Sequence, residues 1–228
     1  MSVAVLLGGC GRAEDRKATA AQAAPAPAFS HPRTIDNRYL PLTVKRRCLM
    51  RGRGEDGTNE RSVRTVLNTT RRFNIAGQPV DAAVIRDNAY EGGKLVESTL
   101  DYFAQADDGT VYYLGEAVRN IRRGKLVNRS GSWLYGRDTN VPGVAMPGNP
   151  KLGDQWRFED APGITVESNR VEETGLRAKA NGKLYTDVIR VSEFIQPEGE
   201  IEFKLYAPGV GLVTEYDPEG RAEFAGCR

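Results

Sequence analysis

The segment at residues 81–116 constrains the fold of this chain more than any other. It holds three stretches rich in Val, Ile, Thr, Tyr and Phe, separated by Glu91-Gly92-Gly93-Lys94 and Asp107-Asp108-Gly109. Glycine readily adopts the positive φ that tight hairpin turns need, and β-branched and aromatic residues favour strands. The segment therefore predicts an antiparallel meander of three strands.

Similar strand-like segments continue to the end of the chain, separated by turns such as Ala76-Gly77-Gln78-Pro79 and Asn181-Gly182-Lys183. No window carries the apolar period of a long helix. The exception among the strands is residues 141–154, where three prolines and three glycines predict a loop without a strand. This spacing is typical of antiparallel sandwiches and barrels.

Side-chain alternation indicates how the predicted sheet is shaped. Leu100 and Tyr102 fall on one face of their strand and Phe103 on the other, which favours a sheet that curls around side chains or a ligand. In a later strand, Glu193 interrupts an otherwise apolar face. We predict an all-β domain built on a single antiparallel sheet, strongly curved, that forms an open barrel or sandwich with little helix.

The N-terminus predicts a lipid anchor. Residues 2–7 are apolar but too few to span a bilayer, and Leu7-Gly8-Gly9-Cys10 resembles the lipobox of bacterial lipoproteins. That resemblance implies that Cys10 is acylated and that residues 1–9 are a signal, shorter than usual and without preceding basic residues. The Ala- and Pro-rich residues 10–33 predict a disordered tether, followed by one β domain at residues 34–228. The alternative is a frayed apolar terminus with an incidental cysteine.

Two further cysteines, Cys48 and Cys227, lie near the start and at the end of the predicted domain. In an oxidising envelope compartment they would form a disulfide between the first and last strands. Two separate free thiols remain the alternative.

Charge and composition argue against several functions. The 32 basic and 30 acidic residues are mixed along the chain, which gives no electrostatic reason to expect a nucleic-acid partner. The single histidine, His31, lies in the predicted tether, so we expect no histidine-based catalytic triad, no metal site and no cofactor. Acidic residues of the meander, among them Asp87 and Asp101, leave a carboxylate-based hydrolase open, but we expect a non-enzymatic protein with no assigned catalytic residues.

Aromatic residues concentrate in and after the meander. They either form the core or line a ligand pocket, and the candidate lining residues are Tyr102, Phe103, Tyr112, Tyr113 and Trp133.

Several motifs together resemble a family of uncharacterised bacterial envelope proteins, many of which have lipoprotein signals. The most specific motif is Tyr206-Ala207-Pro208-Gly209-Val210-Gly211-Leu212-Val213, and Arg38-Tyr39-Leu40-Pro41-Leu42 and Gly131-Ser132-Trp133 accompany it. The resemblance implies a location in the bacterial cell envelope and supplies no catalytic residues. A looser analogy of fold is to lipoprotein carriers, which wrap a curved sheet around an apolar ligand.

The expected function is that of a membrane-tethered envelope lipoprotein that binds an apolar or amphiphilic ligand in a curved β-sheet. Its partners would be the membrane, through the lipid anchor, and a hydrophobic ligand or another envelope protein. A structural or assembly protein that binds other envelope proteins is the alternative, and the hydrolase is a third hypothesis.

Overall fold

The computed structural model describes residues 26–54, 56–196, 199–217 and 220–228. The expected signal at residues 1–9, Cys10 and the tether up to residue 25 lie outside the described residues. Throughout the described part of the chain the regular secondary structure is β-strand, with no helix. In particular, those residues contain no helix with the length and hydropathy needed to cross a membrane.

Fifteen strands form one antiparallel sheet. Their bounds are β1 (Arg47–Arg53), β2 (Asn59–Ile75), β3 (Gln78–Glu91), β4 (Lys94–Gln105), β5 (Val111–Ala117), β6 (Asn120–Arg122), β7 (Lys125–Asn128), β8 (Trp133–Leu134), β9 (Gly143–Met146), β10 (Gln155–Ala161), β11 (Thr165–Ala180), β12 (Lys183–Gln196), β13 (Glu200–Ala207), β14 (Gly211–Tyr216) and β15 (Arg221–Cys227). Strands β3, β4 and β5 are the predicted meander. The all-β fold class is confirmed.

The strand order is β10-β11-β12-β13-β14-β15-β1-β2-β3-β4-β5-β8, with β9 also paired to β5 and β6 paired to β4 and β7. The sheet is open, yet it curves until its two ends meet. Gly143 of β9 lies so close to β10 that a Cβ there would overlap the carbonyl oxygen of Phe158.

The first and last strands of the chain are neighbours in the middle of this order. Cys48 of β1 lies opposite Cys227 of β15, and a disulfide joins them across a sequence separation of 179 residues.

Two long hairpins, β2–β3 and β11–β12, end in tight turns. Ala76 and Gly77 have φ of 50° and 84°, and Asn181 and Gly182 have φ of 49° and 72°. Positive φ at both central residues matches the twist of the flanking strands, which is why these short turns close long hairpins.

The prediction of a strand-free loop at residues 141–154 is wrong in part. Its prolines lie outside the short strand β9, so they do not remove a donor from the β5–β9 ladder, and Ala145 and Met146 are buried in the core. Residues that precede the expected domain start at residue 34 also contact the sheet. The ring of Phe29 meets that of Tyr112 edge to face, and Ser30 donates hydrogen bonds to Asp107.

Apolar side chains pack on both faces of the sheet. On the concave face, Ile85, Phe103, Tyr113 and Trp133 belong to one core cluster, and a strap at residues 35–42 packs against it through Ile35, Tyr39 and Leu40. On the opposite face, side chains of β2, β3, β4, β5 and β8 form a second cluster around Val80, Val84 and Tyr102.

Candidate ligand cavity

The concave face of the sheet forms a cavity of about 740 Å³ that is partly open to solvent. Its walls come from strands in both halves of the sheet and from the strap, through Leu40, Pro41 and Leu42. This volume lies within the range of pockets that hold small molecules.

The lining of the cavity is strongly acidic. Eleven carboxylic acids but only three basic side chains line it among the described residues. The acids are Glu60, Asp87, Glu91, Glu97, Asp101, Glu116, Glu159, Glu167, Glu193, Glu202 and Glu215, and the basic residues are Arg61, Arg64 and Lys204. The rest of the wall is largely apolar and includes Phe103, Tyr113 and Phe158.

Strand register places these charges in rows. Side chains of alternate residues share a face, and directly paired residues on neighbouring strands share a row. Arg64 is paired with Asp87, and Asp87 with Thr99; the next row pairs Asp101 with Glu116. In the other half of the sheet, Glu193 is paired with Glu202.

Asp101 lies at the centre of the β3–β5 wall and accepts a 2.8 Å hydrogen bond from the hydroxyl of Tyr113. Burial raises the pKa of Asp101 to about 7, and the negative charge of Asp87 adds to the effect. The Arg64 guanidinium and the Tyr113 hydrogen bond act in the opposite direction. Arg64 itself forms an ion pair with Asp87, at 3.0 Å between Nη2 and Oδ2.

Five more carboxyls that line the cavity have raised pKa values, those of Glu60, Glu116, Glu159, Glu167 and Glu202. Burial, followed by the charges of neighbouring acids, raises the pKa of Glu116 and of Glu167 to about 9. Burial also raises the pKa of Glu159, although this carboxyl accepts hydrogen bonds from Thr165 and Trp133 that act to lower it. At neutral pH the cavity therefore holds protonated carboxyls that an incoming positive charge would ionise.

Lys204 is the one buried ammonium group among the residues that line the cavity. It forms ion pairs with Glu193 and, at 3.3 Å, with Glu202, and it is paired across the ladder with Glu215. Burial acts to lower the pKa of Lys204, but the carboxylates of Glu193, Glu215 and Glu202 outweigh it and hold the pKa well above its usual value.

Some acceptor oxygens on the concave face of the sheet have no hydrogen-bond partner within the described chain. They include Oδ1 of Asp87, Oδ1 of Asn169 and Oε2 of Glu193. Buried polar atoms are nearly always paired, so these oxygens mark positions where a donor would be stabilised.

The structure separates the five aromatic residues that the sequence suggested as a ligand lining. Phe103 and Tyr113 line the cavity, with rings stacked at a centroid distance of 4.7 Å. Tyr102 and Tyr112 point to the opposite face, in the second cluster. Trp133 is fully buried beside the cavity and donates a hydrogen bond to Glu159.

Sequence reasoning considered the acids of the meander but missed those of β10 to β14. One signal was available, since Glu193 interrupts the apolar face of its strand. The partners of Glu193 follow only from the β11–β12–β13 register.

The acids are spread along the wall rather than gathered at one point. No group of three or more His, Cys, Asp or Glu side chains within the described ranges is arranged to hold a metal ion.

No protein-family model matches this chain, and no curated protein matches its sequence. One solved structure is similar: a "putative exported protein with YmcC-like fold" from Bacteroides fragilis. The identity is 11%, the match covers 84% of this chain and 99% of that one, and the TM-score is 0.46.

Proposed function

We propose that this protein is a membrane-tethered envelope lipoprotein that binds a small amphiphilic molecule with a positively charged group inside its curved sheet. The observation that carries the proposal is the lining of the cavity, where eleven acids and only three basic residues lie among aromatic and aliphatic side chains.

The acids favour a cationic group. A cleft lined by charges of one sign concentrates ligands of the opposite sign, and a buried cation is stable only when carboxylates pair with it. A cation would ionise and then pair with the carboxyls of Glu116 and Glu167, whereas an uncharged hydrocarbon offers them no such stabilisation.

The aromatic and aliphatic side chains favour an apolar part in the same ligand. Phe103, Tyr113 and Phe158 offer ring faces that attract a cation and also pack against a hydrocarbon chain. The ligand class is therefore an amine that carries an alkyl or aryl group.

A matched head-group series tests this proposal. Octylamine, octanol and octanoate share one hydrocarbon chain, and isothermal titration calorimetry on the full chain compares their affinities at low and high salt. We expect octylamine to bind at least tenfold more tightly than the other two, with an advantage that shrinks as salt rises. Octanoate binding as tightly as octylamine would contradict the proposal.

The membrane tether has a separate test. Cells that express the wild type or Cys10→Ser are labelled with a radioactive fatty acid, and the protein is immunoprecipitated. Label in the wild type alone would support acylation at Cys10, whereas equal labelling of the wild type and Cys10→Ser would contradict it.

Hydrolysis by carboxyl groups is a second candidate, which one observation favours. Asp101, with its pKa raised to about 7, lies one row from Asp87, which is held by Arg64. Two carboxyls in different environments are the arrangement that acid–base hydrolases use. A panel of aryl glycosides tests this candidate: turnover that survives Asp87→Asn and Asp101→Asn would end it.

A further inference from the structure

Two nearly inaccessible side chains on the concave face of the sheet each have an oxygen without a hydrogen-bond partner among the described residues. They are Glu193 and Asn169, which are 3% and 2% exposed, and the oxygens are Oε2 of Glu193 and Oδ1 of Asn169. Glu193 lines the cavity. The two residues are directly paired in the β11–β12 ladder.

The pairing brings the two oxygens within reach of a single atom. Directly opposed residues of an antiparallel pair have Cβ atoms about 4.5–5.5 Å apart, on the same face of the sheet. One nitrogen bound between the two side chains can therefore donate to both oxygens.

The charges around this pair are not balanced by Lys204. Its ammonium group is bound to the other carboxylate oxygen of Glu193 and to Glu202. The negative charges of Glu193 and Glu202 also act on Glu167, and that of Glu193 acts on Glu159. Negative charge therefore exceeds positive charge here, while Lys204 keeps the Glu193 carboxylate oriented.

Building on the proposed function, we propose that Glu193 and Asn169 form the subsite for the charged group of the ligand, and that this group is a primary ammonium. Both oxygens are acceptors, so the group must supply N–H donors as well as charge. A primary ammonium has three N–H donors and a trimethylammonium group has none. The subsite would thus select between two cations of equal charge.

The first test compares two ligands on the wild-type full chain. Octylamine and octyltrimethylammonium have the same alkyl chain and the same charge, and calorimetry measures both affinities. We expect octylamine to bind at least tenfold more tightly. Equal affinities would overturn this subsite and leave the proposed function standing, whereas no binding of either cation would overturn both.

Substitutions then locate the selectivity. Asn169→Leu removes one acceptor at similar size and should lower octylamine affinity at least tenfold while changing octyltrimethylammonium affinity less than threefold. Glu193→Gln also removes a charge, so it should lower octylamine affinity at least tenfold and weaken octyltrimethylammonium by a smaller factor. Thr214→Val is the matched control, since the Thr214 hydroxyl is also buried without a partner among the described residues, but Thr214 is paired with Leu205 and Glu223 rather than with Glu193. Octylamine affinity that is unchanged in Asn169→Leu and Glu193→Gln, or reduced as much by Thr214→Val, would overturn the assignment.

Discussion

The indole Nε1 of Trp133 donates a 3.0 Å hydrogen bond to Oε1 of Glu159, and the two side chains are 0% and 4% exposed. Trp133 belongs to β8 and Glu159 to β10, the two strands at opposite ends of the order of the open sheet. A side-chain hydrogen bond therefore links the two edges where no backbone ladder joins β8 to β10.

Trp133→Phe should weaken this link and lower the free energy of unfolding by about 1–3 kcal/mol more than the loss of ring volume alone, because a buried acceptor loses its donor. Urea titration measures the change. Trp156→Phe is the control, since Nε1 of Trp156 is buried but has no partner within the described residues. Equal losses in the two variants would show that the hydrogen bond contributes nothing.

Stability should fall as the pH rises from about 5 to 9. Asp101, Glu116 and Glu167 have folded-state pKa values of about 7, 9 and 9, above the values of 3.8, 4.5 and 4.5 expected in the unfolded chain. Over that window the folded state binds more protons, so the stability that these groups contribute is complete below pH 4 and is lost as the pH rises through their folded-state values.

Glu116→Gln combined with Glu167→Gln should remove part of this pH dependence and stabilise the protein at pH 9 by about 2 kcal/mol. This is less than the full pKa shifts of the two carboxyls imply, because solvent reaches these half-buried groups. Urea titrations at pH 5, 7 and 9 provide the measurement, with the exposed Glu200→Gln as control. A pH profile that is the same in the double variant and the wild type would contradict the prediction.

Reduction of the Cys48–Cys227 disulfide should lower the free energy of unfolding by about 4–5 kcal/mol, because the bridge closes a loop of 179 residues in the unfolded chain. Urea titration of Cys227→Ser, and of the wild type with dithiothreitol, gives this value. Cys10→Ser, which does not affect the bridge, should unfold like the wild type in the absence of reductant. A loss below 1 kcal/mol in Cys227→Ser would contradict the expectation.

Gly143→Ala should destabilise the fold by about 3 kcal/mol or more, because the new methyl group would overlap the backbone oxygen of Phe158 and push β9 away from β10. Gly163→Ala is the control. Gly163 has a φ of 86° and open space around it, so only the backbone strain of about 1 kcal/mol applies. Thermal unfolding of both variants separates the two effects, and equal shifts in Tm would contradict the close approach.

The architecture could be predicted because it depends on local signals. Turns such as Asn181-Gly182 and the alternation of apolar residues lie within a few positions of each other in the sequence. Strand β9 could not be predicted because it has only four residues and prolines on both sides, which favour a loop. Its burial depends on the neighbouring strands β5 and β10, which are distant in sequence.

The candidate site was harder to predict for a related reason. Phe103 and Tyr113 reach the cavity whereas Tyr102 and Tyr112, one residue before each of them, do not, so a one-residue difference reverses the face. The acidic character of the wall arises when Asp101 and Glu116 in one half of the sheet face Glu159 and Glu167 in the other. Only the curvature of the assembled sheet brings these residues together.

The neighbouring positions of β1 and β15 have a consequence for how the molecule folds. Most ladders of the described strands join segments that are close in sequence, whereas β1 and β15 must meet across almost the whole chain. Contacts between distant segments form slowly because loop closure costs entropy first. Two meanders, β1 to β5 and β10 to β15, can therefore form independently before they pair with each other. The cavity, whose walls come from both, exists only after that last step. Ligand uptake would then act as a kinetic reporter of completed folding.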